Sequence, residues 1–219
     1  MCFSATSSFT ASAVLLVIGV VTVRSARQPN ERPFAAIPLL FALQQFSEGI
    51  IWLTFQAEGP LVDSANVAMT YAYTFFSHVL WPMYVPVAVW LIEPDAPRRR
   101  TLAAFAIAGA VVGLCLLGVM FSFPVTSRPT EHHVEYVLPH FFGAATMTLY
   151  MMASSVSLIL STHNTVKIFG VLAVLSFIVA YAFYATWFIS VWCFFAGLMS
   201  GVVVFHFYSS PRRAYSLRT

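Results

Sequence analysis

The sequence predicts an all-α, polytopic membrane fold: seven transmembrane helices in a single domain over residues 1–219. Three observations predict it. Of the residues, 59% are hydrophobic and only 9% charged, against roughly a quarter charged in soluble domains. The mean hydropathy of +0.81 points to a bilayer as the solvent. Ten of the eleven Lys and Arg residues fall on one side of the topology that the apolar spans define, as the positive-inside rule requires of a cytoplasmic face.

Span one covers about 3–23 and ends at Arg24 and Arg27. It lacks a basic leader and a cleavage site, so it is read as a span and not as a signal peptide. Ser4, Ser8 and Ser12 recur every four residues and share one helix face. Such a stripe suits close packing through small residues; the alternative is the wall of a wet cavity. Span two covers about 34–55, with Pro33 in its first turn. Span three covers about 68–92 and contains Pro82 and Pro86, each of which removes a backbone hydrogen bond. Spans four to seven cover about 102–123, 137–160, 166–184 and 187–207. Gly109 with Gly113, and Gly197 with Gly201, form two GxxxG pairs suited to close packing, including between copies of the chain.

The loops set the orientation. Arg24, Arg27, Arg32, Arg98, Arg99, Arg100, Lys167, Arg212, Arg213 and Arg218 share the inner side. Glu58, Asp63, Glu131, Glu135 and Arg128 lie opposite. The N-terminus is therefore expected outside and the C-terminus in the cytoplasm, in a cell inner membrane. A pI near 8.9 does not imply nucleic acid, because the basic residues sit in short loops and form no long patch. The three cysteines, Cys2, Cys115 and Cys193, show no paired spacing, which argues against a disulfide framework.

Glu48 is the acidic residue inside a span, where a charge costs about 2.5–3.5 kcal/mol on insertion scales. Gln44, Gln45 and Trp52 share its helix face. His78 in span three lies at an overlapping depth, with Trp81 on its face. A carboxyl and an imidazole at one depth can share a proton, ligate a metal or orient a polar ligand. The structural alternative is a hydrogen-bonded pair that ties helices together. The ligand-binding set is thus Glu48, His78, Gln44, Gln45, Trp52 and Trp81, with Tyr71 and Trp187 as further aromatic walls. A metal set would be His78, His140, Cys193, Glu48 and Cys2, which are zinc or copper ligand types without a recognised metal spacing. If the initiator methionine is removed, Cys2 offers an amine and a thiol together.

The remaining candidates have plainer readings. Cys115 and the methionines Met147, Met151 and Met152 read as packed apolar side chains. Glu131-His132-His133-x-Glu135 reads as a solvated loop, and His163 and His206 as interfacial side chains. Span seven has no lysine for a retinal Schiff base, and no depth-matched histidine pairs suit transmembrane haems. The paired late histidines expected of alkaline-ceramidase-like hydrolases are missing as well.

The opening Met1-Cys2-Phe3-Ser4-Ala5-Thr6, the run Pro33 to Phe41, and Gln44-Gln45-Phe46-Ser47-Glu48-Gly49 carry a resemblance. They resemble an uncharacterised bacterial integral membrane protein family whose chains begin MCFSA. The match covers the first two spans and is expected to extend over the whole length. The resemblance implies a shared fold unit and no substrate. The leading expectation is a small ligand or ion bound in an outward-facing polar pocket around Glu48 and His78, serving proton-linked transport or sensing. The alternatives are a membrane-embedded metal-dependent hydrolase and a structural subunit of a membrane complex.

Overall fold

The computed structural model describes residues 4–130, 133–138, 143–183, 191, 192, 195, 197 and 199–209. Helix α1 (Ala5–Ser25) begins where Ser4 caps it, its hydroxyl accepting the Ser7 N–H at 3.2 Å. A single 3₁₀ turn, Pro29–Glu31, and the short α2 (Arg32–Ala35) then reverse the chain. The Glu31 carboxylate holds the reversal by accepting the N–H groups of Arg27 at 2.7 Å and Gln28 at 3.1 Å. Helix α3 (Ile37–Thr54) returns along α1. The Ser12 hydroxyl donates to the Ala42 carbonyl at 2.8 Å and the Thr22 hydroxyl to the Ala35 carbonyl at 2.7 Å. Ser8 is buried in the same interface. The serine stripe of α1 is therefore a packing surface.

Residues Pro60–Ile92 form one long rod in three parts: α4 (Pro60–Thr74), a π-helical turn (Phe75–Leu80) and α5 (Trp81–Ile92). Gly59 precedes it with φ of 134°, a conformation that glycine adopts without strain, and Pro60 suits a first helical position. The π turn has a local cause. The Trp81 N–H reaches back to the Phe76 carbonyl, and Pro82 has no N–H with which to restore the α register. Helix α6 (Ala96–Ser122) is capped by Asp95, which accepts the Arg98 N–H at 3.0 Å.

Pro86 likewise leaves the Pro82 carbonyl without its helical partner. Gly109 of α6 closes on that carbonyl so nearly that a Cβ would overlap its oxygen, and Gly113 packs on Met83 in the same way. The first GxxxG pair is thus used inside the chain. Gly201 of the second pair faces open space.

Strands β1 (Thr126–Thr130) and β2 (His133–Val137) form an antiparallel hairpin with Arg128 opposite Glu135. Helix α7 (Ala144–Met151), a second π turn (Met152–Val156) and α8 (Ser157–Ile159) follow, then α9 (Asn164–Phe183) and α10 (Gly201–Ser209).

The described residues are mostly helical, and among them five helices are long and apolar enough to cross a bilayer: Ala5–Ser25, Pro29–Thr54, Pro60–Ile92, Ala96–Ser122 and Asn164–Ala182. The apolar helix Ala145–Ile159 is shorter. In its apolar 18-residue window the Pro29–Thr54 stretch is 67% buried, but the corresponding windows of α1 and α6 only 28%, so α3 is central and those two are peripheral. The outer surface carries Leu61, Ile107, Leu114, Phe121, Leu175 and Ile178, while Ser, Gln, Glu and His lie inside.

Several expectations are corrected. The fold is not purely α, because His133–Val137, whose alternating Val134, Tyr136 and polar residues fit a half-buried strand, pairs with β1. Span five, expected from residue 137, begins only at Ala144. Spans three and four start earlier than hydropathy placed them, at Pro60 and Ala96. Their first turns carry Asp63 and Arg98–Arg100, and an apolar window misses charged helix ends. Cys115, read as packed, is exposed on α6, and Met152 is 40% exposed.

Gly109→Ala should therefore lower the thermal midpoint sharply, by about 1–3 kcal/mol of overpacking at a backbone carbonyl. Gly118→Ala, where nothing lies within 4 Å, should be neutral or raise it through helix propensity. Fluorescence-detected thermal denaturation of the two purified variants reads the difference.

Candidate functional site

Gln44, Gln45 and Glu48 turn one face of α3 into the core, and all three are fully buried. The Trp81 indole N–H donates to the Gln44 side-chain oxygen at 2.7 Å. Phe41 stacks on the same indole at 3.9 Å. This contact sets the level of α3 against α5. Glu48 lies one turn of α3 from Gln44, about 6 Å along the axis, and His78 lies three residues before Trp81 in the π turn.

His78 is held by the π turn. Its Nδ1 lies 2.7 Å from the Ser77 hydroxyl, which itself donates to the Thr74 carbonyl at 3.2 Å. The Tyr150 hydroxyl donates to the Ser77 carbonyl and fixes the turn from α7. Around this pair several buried polar atoms have no hydrogen-bond partner among the described residues: both ends of the Gln45 amide, the Gln44 nitrogen, the Trp52 indole nitrogen and the Thr74 hydroxyl. Buried groups of this kind are ordinarily satisfied, and each one left unmade costs about 1–3 kcal/mol.

The hairpin closes this layer from one end. The Tyr136 ring lies flat on Tyr73, with centroids 4.3 Å apart and planes 3° apart. Its hydroxyl points at the Glu48 carboxylate from 3.5 Å, the long limit of a hydrogen bond. Side chains fasten the hairpin to α4. The Ser127 hydroxyl lies 2.7 Å from that of Thr70 and 3.3 Å from the Asn66 oxygen, and the Val125 N–H donates to the Tyr71 hydroxyl at 3.3 Å.

A cavity of about 30 Å³ is bounded by Phe41, Trp81, Ser155, Phe169 and Trp192. Trp81 is the member of the expected ligand set that lines it, and Glu48, His78, Gln44, Gln45 and Trp52 do not.

At the C-terminal end of α5 Glu93 forms a second polar centre. Its carboxylate accepts the Thr162 N–H at 2.7 Å, the Ser161 hydroxyl at 3.1 Å, the Asp95 N–H at 3.2 Å and the Thr162 hydroxyl. Arg98 reaches the Leu160 and Ser161 carbonyls at 3.3 and 3.2 Å. The His163 ring lies 3.1 Å from the Ile92 carbonyl, and His206 lies 2.5 Å from the Thr165 hydroxyl. His206 is thus a buried partner in this network and not an interfacial side chain. Burial alone pushes the Glu93 carboxyl up. The hydrogen bonds from Thr162, Asp95 and Ser161 outweigh it and hold the group below its ordinary range.

The metal set divides differently. His140, Cys193 and Cys2 lie outside the described residues, as do Trp187, Glu131 and His132. Among the described residues no group of three or more His, Cys, Asp or Glu side chains could hold a metal ion. His133, expected in a solvated loop, is buried in β2. Sequence reasoning also missed Tyr136 and Glu93. A strand-like alternation marked the first. An acid closing an apolar span just before Asp95 and three arginines marked the second.

A helical bundle with an apolar exterior, a polar interior layer and a hairpin over one end defines the class. The chain belongs to the family described as "Family of unknown function (DUF6629)", whose model matches residues 1–218. The resemblance carried by the first two spans therefore extends along the chain. No curated protein and no solved structure matches it.

A carboxyl held below its ordinary 4.5 stabilises the fold fully above that value, and the contribution is lost as pH falls through the lowered value. The thermal midpoint of the wild-type protein should therefore drop on acidification below about pH 4.5. Glu93→Gln should start lower and show a flatter acid limb. A pH series of melting curves compares the two.

Proposed function

We propose that this protein is an integral membrane protein of seven spans, with its N-terminus outside and its C-terminus in the cytoplasm of a cell inner membrane. It binds a small ion or polar ligand at the Gln45–Glu48–His78 layer, and proton-linked transport or sensing follows from that binding. The observation that carries the reading is the layer itself. A fully buried amide, with neither end hydrogen-bonded among the described residues, lies on the same helix face as a buried carboxyl, and a buried imidazole lies on the neighbouring rod. A cation or a protonated ligand would supply what the amide oxygen lacks, beside the Glu48 carboxyl. The seven-span reading draws support from the five long apolar helices and from the one-sided distribution of Lys and Arg.

The ligand test uses the purified protein in detergent. Melting curves are recorded with NaCl, LiCl or ZnCl₂ against choline chloride at equal ionic strength. A cation at about 100 times its Kd adds about 2.7 kcal/mol, which raises the midpoint by about 5 °C or more in a chain of this size. We expect one of these salts to do so. Glu48→Gln and His78→Ala should remain monodisperse and lose the shift. Failure of both variants to assemble would assign the pair a purely structural role. A shift given by zinc alone would favour the metal-dependent hydrolase.

Orientation has its own test in a background with the cysteines replaced. Gln56→Cys should react with a membrane-impermeant maleimide in right-side-out vesicles, and Gln28→Cys only after permeabilisation. Both positions are exposed in loops at opposite ends of α3. The reverse pattern would overturn the proposed topology.

A further inference from the structure

The hairpin is an unexpected element in an apolar helical chain, and its inner edge touches the polar layer directly. We propose that β1–β2 is a movable cover that controls access to the Glu48 layer, with Tyr136 as the residue that seals it. The inference rests on the reading of that layer as a binding site, and it names the route by which a ligand reaches it.

Three features carry it. First, Tyr136 is the contact between cover and site: its ring lies on Tyr73 and its hydroxyl faces Glu48. Lifting β2 removes the phenol from the carboxylate and uncovers the layer in one movement. Second, a two-stranded hairpin has little stability of its own, so its position depends on what fastens it. On α4 the fastening includes side-chain hydrogen bonds, Ser127 to Thr70 and Asn66, and Val125 to Tyr71. Water replaces such bonds at small net cost. Third, the layer beneath contains amide and hydroxyl groups without partners among the described residues. A permanently sealed interior would hold these unsatisfied, whereas a cover that opens lets a ligand or water meet them.

The hydroxyls of Thr70 and Ser127 lie 2.7 Å apart, so cysteines at the two positions are close enough to form a disulfide. In full-length protein with Cys2, Cys115 and Cys193 replaced by serine, Thr70→Cys and Ser127→Cys are combined with a reporter, Gln45→Cys. Thr74→Cys, a smaller change, serves as a second reporter. The lock is closed with copper phenanthroline while the reporter is protected by a reversible thiol cap, and the cap is then removed by a mild reductant that leaves the disulfide intact, as checked by mass spectrometry. Modification by the charged reagent MTSET is then followed in detergent, before and after dithiothreitol opens the lock. We expect the locked protein to react at least tenfold more slowly than the opened one. Equal rates in the two states would overturn the cover, and so would a reporter that stays unreactive in both. The outcome is separable from the ligand test. A lock that blocks access while no salt shifts the wild-type midpoint leaves the cover standing and removes the ion-binding reading. The converse pair of results does the opposite.

Discussion

A carboxyl and two carboxamides buried in an apolar helical core must be offset by partners, and the arrangement around Glu48 follows from that demand. The central position of α3, which carries all three, is the first consequence. The helix that presents the most polar atoms is the one most enclosed by protein, so that neighbours and not the surroundings meet them. The Trp81–Gln44 bond fixes the level of α5, and Phe41 stacked on the same indole makes that level rigid. The outer surface can then be almost wholly apolar.

The rod Pro60–Ile92 shows how the backbone serves the same end. Two prolines four residues apart each remove an N–H. One loss coincides with a π turn that carries Ser77 and His78 into the core; the other bares the Pro82 carbonyl, against which α6 closes at Gly109. The small residue and the missing hydrogen bond are thus one feature. A glycine Cα approaching a freed carbonyl permits the weak C–H···O contact common at helix interfaces.

Much of this was legible in the sequence. Glu48, Gln44, Gln45, His78 and Trp81 are separated by helical spacings, and a helix converts spacing into depth and face with little freedom. That is why Gln44, Gln45 and Glu48 could be read as one buried face before any contact was known. The serine stripe of α1 was legible for the same reason. What escaped was non-local. Tyr136 meets Glu48 across 88 positions of sequence, through a hairpin whose placement depends on side chains of α4. Glu93 receives its hydrogen bonds from residues 68 and 69 positions away. The exposure of Cys115 shows the same limit, since an apolar helix carries no strong mark of which face turns outward. Hydropathy also placed helix starts at apolar boundaries, although Pro60 at a first helical position and the Asp95 cap open turns that lie beyond them.

The two polar centres differ in a way that bears on their roles. Around Glu93 the carboxylate accepts four hydrogen bonds, from Thr162, Ser161 and Asp95, and the nearby loop is held further by Arg98. Such a site gains nothing from another molecule; it clamps the connection between α8 and α9 to the start of α6. Around Glu48 the balance is reversed. Gln45 has neither amide end engaged among the described residues, and Thr74 and Trp52 add further idle groups, although Gln45 and Thr74 are as well buried as Glu93. Equal burial with unequal satisfaction separates a clamp from a vacancy in the hydrogen-bond network. Loss of a polar group should be costly for the fold at Glu93, and less so at Gln45. The layer under the hairpin is therefore where an incoming polar partner would recover the most.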